Sequence, residues 1–153
     1  MPTSAAEDAE REEILVLLVR ARGGLGNAIS AHLAAAGFDD LPRNGPFVLG
    51  GMIRQGGSAV ELIRGLGVTR QAASQLIDTL VLRGYLSRGI NPDDRRRMNI
   101  VLTERGRAAA AAIRAGIDEV EAELAGALSP DELAGLRAGL AALGRIRERT
   151  EGG

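Results

Sequence analysis

Apolar residues recur at helical spacing through the first part of the chain. From Ala6 to about Ala36 they step alternately by four and three positions, which predicts one long helix with a near-heptad seam of Ile14, Leu18, Ala21, Leu25, Ala28 and His32. Gly23, Gly24 and Gly26 lie inside this helix, and each disfavours it by about 1 kcal/mol relative to alanine. We therefore expect either another backbone to pack closely against these glycines or the helix to kink there.

Turn and capping residues divide the next segment. Gly37 is the predicted C-cap of the first helix, and the stretch from Phe38 to Pro46 is predicted as a loop. A short helix should follow from Pro46 to Arg54, because proline is favoured at the first helical position.

Two side-chain caps open the helices at the centre of the chain. Ser58 and Glu61 have the spacing of a capping box, which predicts a short helix that a Gly-Leu-Gly turn then ends. Thr69 is placed to cap the next helix, from Thr69 to Arg83, and Gly84 to end it. This helix should bury Ala73, Leu76, Ile77 and Leu80 and turn outward Arg70, Gln71, Ser74, Gln75 and Asp78.

Two runs with strand character follow, from Leu86 to Ile90 and from Met98 to Leu102. The polar residues 91–97 between them carry three successive arginines, which predicts a β-hairpin with a basic tip. A long helix should then run from Thr103 to Leu128.

The last predicted helix begins with a second capping box, formed by Ser129 and Glu132 around Pro130. Its apolar stripe consists of Leu133, Leu136, Leu140 and Leu143, and it is expected to fray from Arg145 to Gly153. The pattern contains no internal repeat and no linker, so the 153 residues are predicted to form a single domain.

Composition excludes several classes of function. The chain has no Cys and one His, which rules out disulfides, thiolate catalysis and Cys/His zinc sites, and we expect no metal, no cofactor and no enzymatic activity. Only three aromatic residues are present, so a pocket walled by stacked rings is not expected. The longest apolar run has six residues and the N-terminal flank is acidic, which predicts a cytoplasmic protein without a membrane span or export signal.

The net charge of −1 conceals an uneven distribution. Residues 54–107 carry ten Arg against five acidic residues, a net of +5, whereas residues 1–53 and 108–153 each carry −3. A basic centre between acidic arms suggests a middle segment that faces nucleic acid and ends with another task, such as assembly. An uneven surface without function would give the same numbers.

The order of the central elements is that of a winged helix-turn-helix: short helix, turn, amphipathic helix with a polar outer face, and basic hairpin. The major groove of DNA admits one helix, and Arg and Gln are well shaped for base edges. The narrower minor groove attracts arginine on a thin protrusion. The fold class predicted is therefore mainly α with a small β-hairpin wing.

At these residues the chain resembles the MarR (multiple antibiotic resistance regulator) family of winged-helix transcription regulators. The resemblance runs from Gly67 to Arg107 and includes the family's wing signature: Asp, any residue, Arg, five residues, Leu-Thr. Asp94, Arg96, Leu102 and Thr103 satisfy this signature in register. The resemblance assigns residues 46–103 to DNA binding, and residues 1–45 and 104–153 to long dimerisation helices.

The resemblance also implies roles for individual residues. The helix from Thr69 would be the recognition helix, with Thr69, Arg70, Gln71, Ser74 and Gln75 facing bases or phosphates. In the wing, Arg96 would enter the minor groove while Asp94 orients it, and Arg95 and Arg97 would contact phosphates. The implied protein is a homodimeric regulator on a pseudo-palindromic operator, a repressor of nearby genes that a small-molecule effector releases.

Other interpretations stay open at this stage. The chain could be a winged-helix module for protein interaction that has lost DNA binding, and the apolar arms could pack within one chain. His32 is the candidate for an effector contact, or else a polar residue at a helix interface. The pair Asp39-Asp40 is interpreted as solvating a loop.

Overall fold

The structure is a computed structural model that describes residues 12–55, 58–90 and 98–151. Its elements are α1 (Ile14–Ala35), α2 (Gly45–Gln55), α3 (Ala59–Arg64), α4 (Arg70–Leu82), β1 (Leu86–Ile90), β2 (Met98–Leu102), α5 (Glu104–Ala127) and α6 (Pro130–Glu151). The chain divides into two compact units, Met1–Ile117 and Asp118–Gly153. The predicted fold class, mainly α with one small antiparallel hairpin, is confirmed.

The predicted helix caps form as expected. The Ser58 hydroxyl accepts a hydrogen bond from the Glu61 amide at 3.2 Å, and the Glu61 carboxylate accepts from the Ser58 amide at 3.4 Å. The Thr69 hydroxyl accepts from the Ala72 amide at 3.1 Å and so caps α4. Gly84 follows α4 with φ +76°, a backbone conformation that favours glycine.

The hairpin has the predicted strands. β1 pairs antiparallel with β2 in a register that sets Leu86 opposite Leu102 and Ile90 opposite Met98. The segment between the strands, with its predicted basic tip, lies outside the described residues.

One hydrophobic core fills the first unit. It draws buried side chains from α1 to α5 and from β1: Leu33, Val48, Leu49, Ala59, Ile63, Ile77, Leu80, Tyr85, Leu86, Ala109, Ala110 and Ile113. Because α4 contributes Ile77 and Leu80, its inner face is fixed on this core and its outer face is presented to solvent.

The first helix differs from its prediction in two respects. It begins at Ile14, because Glu13 has extended backbone and acts as the N-cap residue, and the predicted helical segment from Ala6 to Arg11 lies outside the described residues. No other part of the described chain comes within 4 Å of a Cβ added at Gly23, Gly24 or Gly26, and the helix runs unbroken through them. The close approach occurs at Gly116 of α5, where an added Cβ would lie 3.0 Å from the Ile29 Cα of α1.

The second unit contains the end of α5 and all of α6. Ser129 and Glu132 form the predicted capping contacts, with the Ser129 amide donating to the Glu132 carboxylate at 2.8 Å. That backbone hydrogen bond, together with the one from the Ser129 hydroxyl, lowers the pKa of Glu132. The predicted fraying is wrong from Arg145 to Glu151, where the backbone stays helical, and Gly152 and Gly153 lie outside the described residues.

Among the described helices, α1 is long and apolar enough to cross a membrane when only length and composition are considered. Arg20 and Arg22 lie in its middle, where each would cost about 2.5–3.5 kcal/mol at the centre of a bilayer. At its C-terminal end Leu33 is buried in the protein core. We therefore interpret α1 as a helix of the folded domain.

Candidate nucleic-acid interface

The outer face of α4 presents the side chains that the sequence assigns to recognition. Thr69, Arg70, Gln71, Ser74 and Gln75 are all exposed, whereas Ile77 and Leu80 of the same helix are buried in the core. At about 100° per residue, the four positions 70, 71, 74 and 75 lie within an arc of about 140°. The structure thus gathers these groups on one polar face of α4, and the major groove of DNA is wide enough to admit one such helix.

Thr69 also has a structural role on this face. Its hydroxyl oxygen accepts from the Ala72 amide, which fixes the first turn of α4. The first amides of a helix have no partner within the helix and favour anions. The N-terminal end of α4 therefore combines amide donors with the cationic side chain of Arg70.

The one acidic side chain on the outer face of α4 is paired. Asp78 accepts a hydrogen bond from the guanidinium of Arg88 on β1, and both side chains are partly exposed. This ion pair joins α4 to β1, the first strand of the hairpin. It also places a cation beside the carboxylate that would otherwise repel a phosphate.

Thr103 fixes the base of the hairpin. Its hydroxyl donates to the Gly84 carbonyl oxygen at 2.5 Å and accepts from the Gly106 amide at 3.0 Å, and its amide donates to the Tyr85 carbonyl oxygen at 3.1 Å. The start of β1, the end of β2 and the first turn of α5 are thereby tied together. Asp94, Arg95, Arg96 and Arg97, at the predicted tip of the hairpin, lie outside the described residues.

A polar cluster behind α4 was not predicted from the sequence. The carboxylate of Asp40 accepts from the Tyr85 hydroxyl and, at 3.0 Å, from the Arg105 guanidinium. Arg83, the C-cap residue of α4, donates to the Asp40 carbonyl oxygen. The interpretation of Asp40 as a residue that merely solvates a loop is therefore wrong, whereas its neighbour Asp39 is exposed.

Aromatic rings complete this cluster. The Arg105 guanidinium carbon lies 4.6 Å from the centre of the Tyr85 ring and 5.7 Å from that of Phe38, within the range of cation–π attraction. The hydrogen bond from Tyr85 and the charge of Arg105 lower the pKa of Asp40. Burial, followed by the bond to Asp40, raises the pKa of Tyr85.

Residues far apart in the chain make up the cluster, since 45 positions separate Asp40 from Tyr85 and 65 separate it from Arg105. No local spacing can indicate such a contact. The available signal was Tyr85 itself, because a buried tyrosine needs a partner for its hydroxyl.

His32 lies near the C-terminal end of α1 and is half-buried. The His32 side chain or backbone interacts with other residues of the chain. Its role as an effector contact or as an interface residue stays a prediction.

A comparison with known protein families matches the part of the chain that contains α4. Residues 40–97 match the model of the MarR family. No curated protein matches the chain. The match covers α2 to β1, which contain the outer face of α4.

Solved structures share the fold over most of the chain. The MepR–DNA complex of S. aureus is 23% identical, covers 87% of this chain and 97% of its own, and has a TM-score of 0.68. CouR from Rhodococcus jostii RHA1 bound to p-coumaroyl-CoA is 24% identical, with 87% and 92% covered and a TM-score of 0.69. The transcriptional regulator PA4135 is 21% identical, with 89% and 98% covered and a TM-score of 0.64. The resemblance predicted from the wing signature is confirmed.

Proposed function

We propose that this protein is a transcriptional regulator of the MarR family that binds DNA as a homodimer, represses nearby genes and is released by a small-molecule effector. The observation that carries the proposal is the exposed polar face of α4, which is held on the core from behind and tied to the wing by the Asp78–Arg88 pair. It is supported by the solved relatives, since one MepR structure is a complex with DNA and another has bound ethidium bromide.

The role proposed for each residue of the interface follows from its position on α4 or in the wing. Gln71, Ser74 and Gln75 would contact base edges, because their side chains can donate and accept hydrogen bonds. Arg70 would contact a phosphate at the start of α4. Asp94, Arg95, Arg96 and Arg97 keep the roles implied by the wing signature, with Arg96 in the minor groove.

Dimerisation is supported by apolar side chains left on the surface of both units. Ile14, Leu15 and Val19 are exposed on α1, and Leu136, Leu140 and Ile146 are exposed on α6. Apolar side chains in such number favour burial against another protein surface. Two copies would also supply the paired recognition helices that a palindromic operator requires.

The test begins with recovery of the operator. The purified protein is mixed with fragments of its own genome, and the retained DNA is sequenced. We expect one or a few enriched pseudo-palindromic sites. Recovery of no enriched site would contradict the proposal and favour the protein-interaction module.

Single substitutions then assign the interface on the recovered site. Arg96→Ala should weaken binding and reduce the dependence of log affinity on log salt by about one unit, as expected for one lost phosphate-type contact. Gln71→Ala should relax the base preference at one position of each half-site. Arg20→Ala is the matched control, because Arg20 is exposed on α1 and paired with Glu12 away from α4.

A further inference from the structure

The polar cluster around Asp40 lies at the C-terminal end of α4. Arg83, the C-cap residue of this helix, donates to the Asp40 carbonyl oxygen, and Tyr85 follows two positions later. The side chains proposed to contact DNA, on residues 69–75, occupy the opposite end of α4. The cluster is thus placed to act on DNA recognition through the position of the helix.

Hydrogen bonds in this cluster join three parts of the chain. Asp40 belongs to the loop between α1 and α2, Tyr85 lies between α4 and β1, and Arg105 is in the first turn of α5. The Asp40 carboxylate accepts from the Tyr85 hydroxyl and, at 3.0 Å, from the Arg105 guanidinium. Arg105 also donates to the Tyr85 hydroxyl oxygen at 3.1 Å. The three side chains therefore form a closed set of hydrogen bonds, to which each contributes two.

The packing of α4 makes its direction depend on this end. Ile77 and Leu80, its two buried side chains, both lie in the second half of the helix, whereas Ala73 in the first half is only partly buried. Apolar packing is not directional and tolerates small rotations, while hydrogen bonds have preferred angles. The core therefore holds the second half of α4 in place, and the hydrogen bonds of the cluster restrict its tilt.

A small tilt at the cluster becomes a large displacement at the recognition end. α4 has 13 residues and is about 20 Å long at about 1.5 Å per residue. A tilt of about 10° would move its N-terminal end by about 3.5 Å, which is close to the spacing of about 3.4 Å between successive bases of one DNA strand. In a dimer both recognition helices would move, so the separation of the half-sites that they reach together would change.

We propose that Asp40 is a positioning residue of the DNA-binding site, which fixes the tilt of α4 through Tyr85 and Arg105 and so selects the spacing of the half-sites. An operator with the wrong spacing is bound only if α4 tilts against these hydrogen bonds, and their loss therefore lowers the penalty for that operator. The inference rests on the proposed function for its link to DNA, whereas the tilt of α4 is a property of the chain alone.

The tilt of α4 is measured without DNA, by pulsed electron paramagnetic resonance between two spin labels. Because the chain has no Cys, the labels can be attached through Ala72→Cys on α4 and Ala111→Cys on α5, both at exposed positions. Labelled chains are diluted with unlabelled chains, so that only distances within one copy are recorded. Asp40→Ala should shift or broaden the distance distribution by about 2–4 Å, as expected for a tilt of about 10°.

The spacing preference is measured on the recovered operator and on versions with one base pair added or removed between the half-sites. In Asp40→Ala the ratio of the affinities for the recovered and the altered spacing should fall by about tenfold, as expected for the loss of one hydrogen bond to a charged group. A loss of stability alone would lower the affinity for all the operators equally and leave this ratio unchanged.

Two further variants control for charge and for shape. Asp39→Ala removes the same charge from the exposed neighbouring position, and it should leave both the distance and the spacing ratio unchanged. Asp40→Asn should restore the spacing preference in part, because its carboxamide oxygen can still accept from the Tyr85 hydroxyl.

Tyr85→Phe removes only the hydroxyl and should act in the same direction as Asp40→Ala, so it provides the test if circular dichroism shows that Asp40→Ala is unfolded. An unchanged distance distribution in the folded variants would overturn the inference, and so would an unchanged spacing ratio. Failure of the unaltered protein to bind any DNA would instead contradict the proposed function, and the distance measurement would still decide whether Asp40 sets the tilt of α4.

Discussion

Tyr85 is the only tyrosine in a chain that has no tryptophan, so the ionisation of its ring can be followed by ultraviolet absorbance without interference. The side chain is fully buried and donates its hydroxyl proton to Asp40. Both conditions disfavour the tyrosinate, because burial penalises a new charge and Asp40 already carries one.

An alkaline titration of the native protein should therefore give a pKa for Tyr85 above its usual value of 10.0. In Asp40→Asn the pKa should fall relative to the unaltered protein, because the neighbouring negative charge is removed, yet it should stay above 10 because burial remains. The raised pKa stabilises the fold fully below about pH 10, and this contribution is lost as the pH rises through the pKa of the folded state.

The denatured chain provides the control for this titration, and its Tyr85 should titrate near 10. Asp40 has the opposite dependence, since its lowered pKa stabilises the fold above pH 3.8 and that contribution is lost as the pH falls through the pKa of the folded state. A native pKa for Tyr85 near 10 would contradict the cluster as described.

This cluster shows the limit of sequence reasoning at the scale of residues. Thr69 and Ser58 could be assigned as caps because cap and amide are three positions apart and the contact is local. The prediction for Asp40 was wrong because its partners, Tyr85 and Arg105, are distant in the sequence and approach it only in the folded chain.

At the scale of elements, local chemistry accounts for what the sequence predicted well. Both strands match their predicted bounds, and α2 to α5 begin and end within one residue of them, since proline, glycine and side-chain caps act over three or four positions. The start of α1 and the end of α6 were misplaced. Apolar residues keep helical spacing through both regions, and this spacing alone does not indicate where a helix begins or ends.

The sequence does not indicate which helical glycine packs closely against another helix. Gly116→Ala should lower the free energy of unfolding by about 1–3 kcal/mol, because the new methyl group would press on the backbone of α1 at Ile29. Gly24→Ala, also within a helix, should raise it by up to about 1 kcal/mol, because the surrounding space is open. Chemical denaturation of the two variants measures the difference.

The two alanine variants control for each other, since both add the same methyl group to a helix interior. A stable Gly116→Ala would mean that α1 and α5 are not in close contact. A destabilised Gly24→Ala would mean that another backbone covers this part of α1, as a second copy of the chain would do.

At the scale of the whole molecule, charge is distributed unevenly along the chain. The net charge of −1 arises because a +5 centre, which contains α4 and the wing, is offset by two acidic ends. The acidic ends carry the exposed apolar stripes of α1 and α6. A net charge near zero is thus compatible with a strongly basic surface where DNA would bind.

The proposed task of the acidic ends is dimerisation. A matched pair of substitutions on α6 tests it. Leu140 is 47% exposed on the apolar stripe of α6, whereas Ala138 is exposed on the opposite side of the same helix. Leu140→Glu should convert a particle of twice the 16.0 kDa chain mass into one of single mass, because a carboxylate would be buried without a partner in the dimer. Light scattering after size-exclusion chromatography measures the mass.

Ala138→Glu adds the same charge to the same helix and should leave the dimer intact. Operator affinity should fall with the dimer in Leu140→Glu, because a single copy presents one recognition helix to a site with two half-sites. A monomeric mass for the unaltered protein would contradict the assignment of α6 to dimerisation. Full operator affinity in a monomeric Leu140→Glu would instead show that one copy is sufficient for recognition. DNA binding by the basic centre would then not depend on dimerisation through the apolar stripes of the ends.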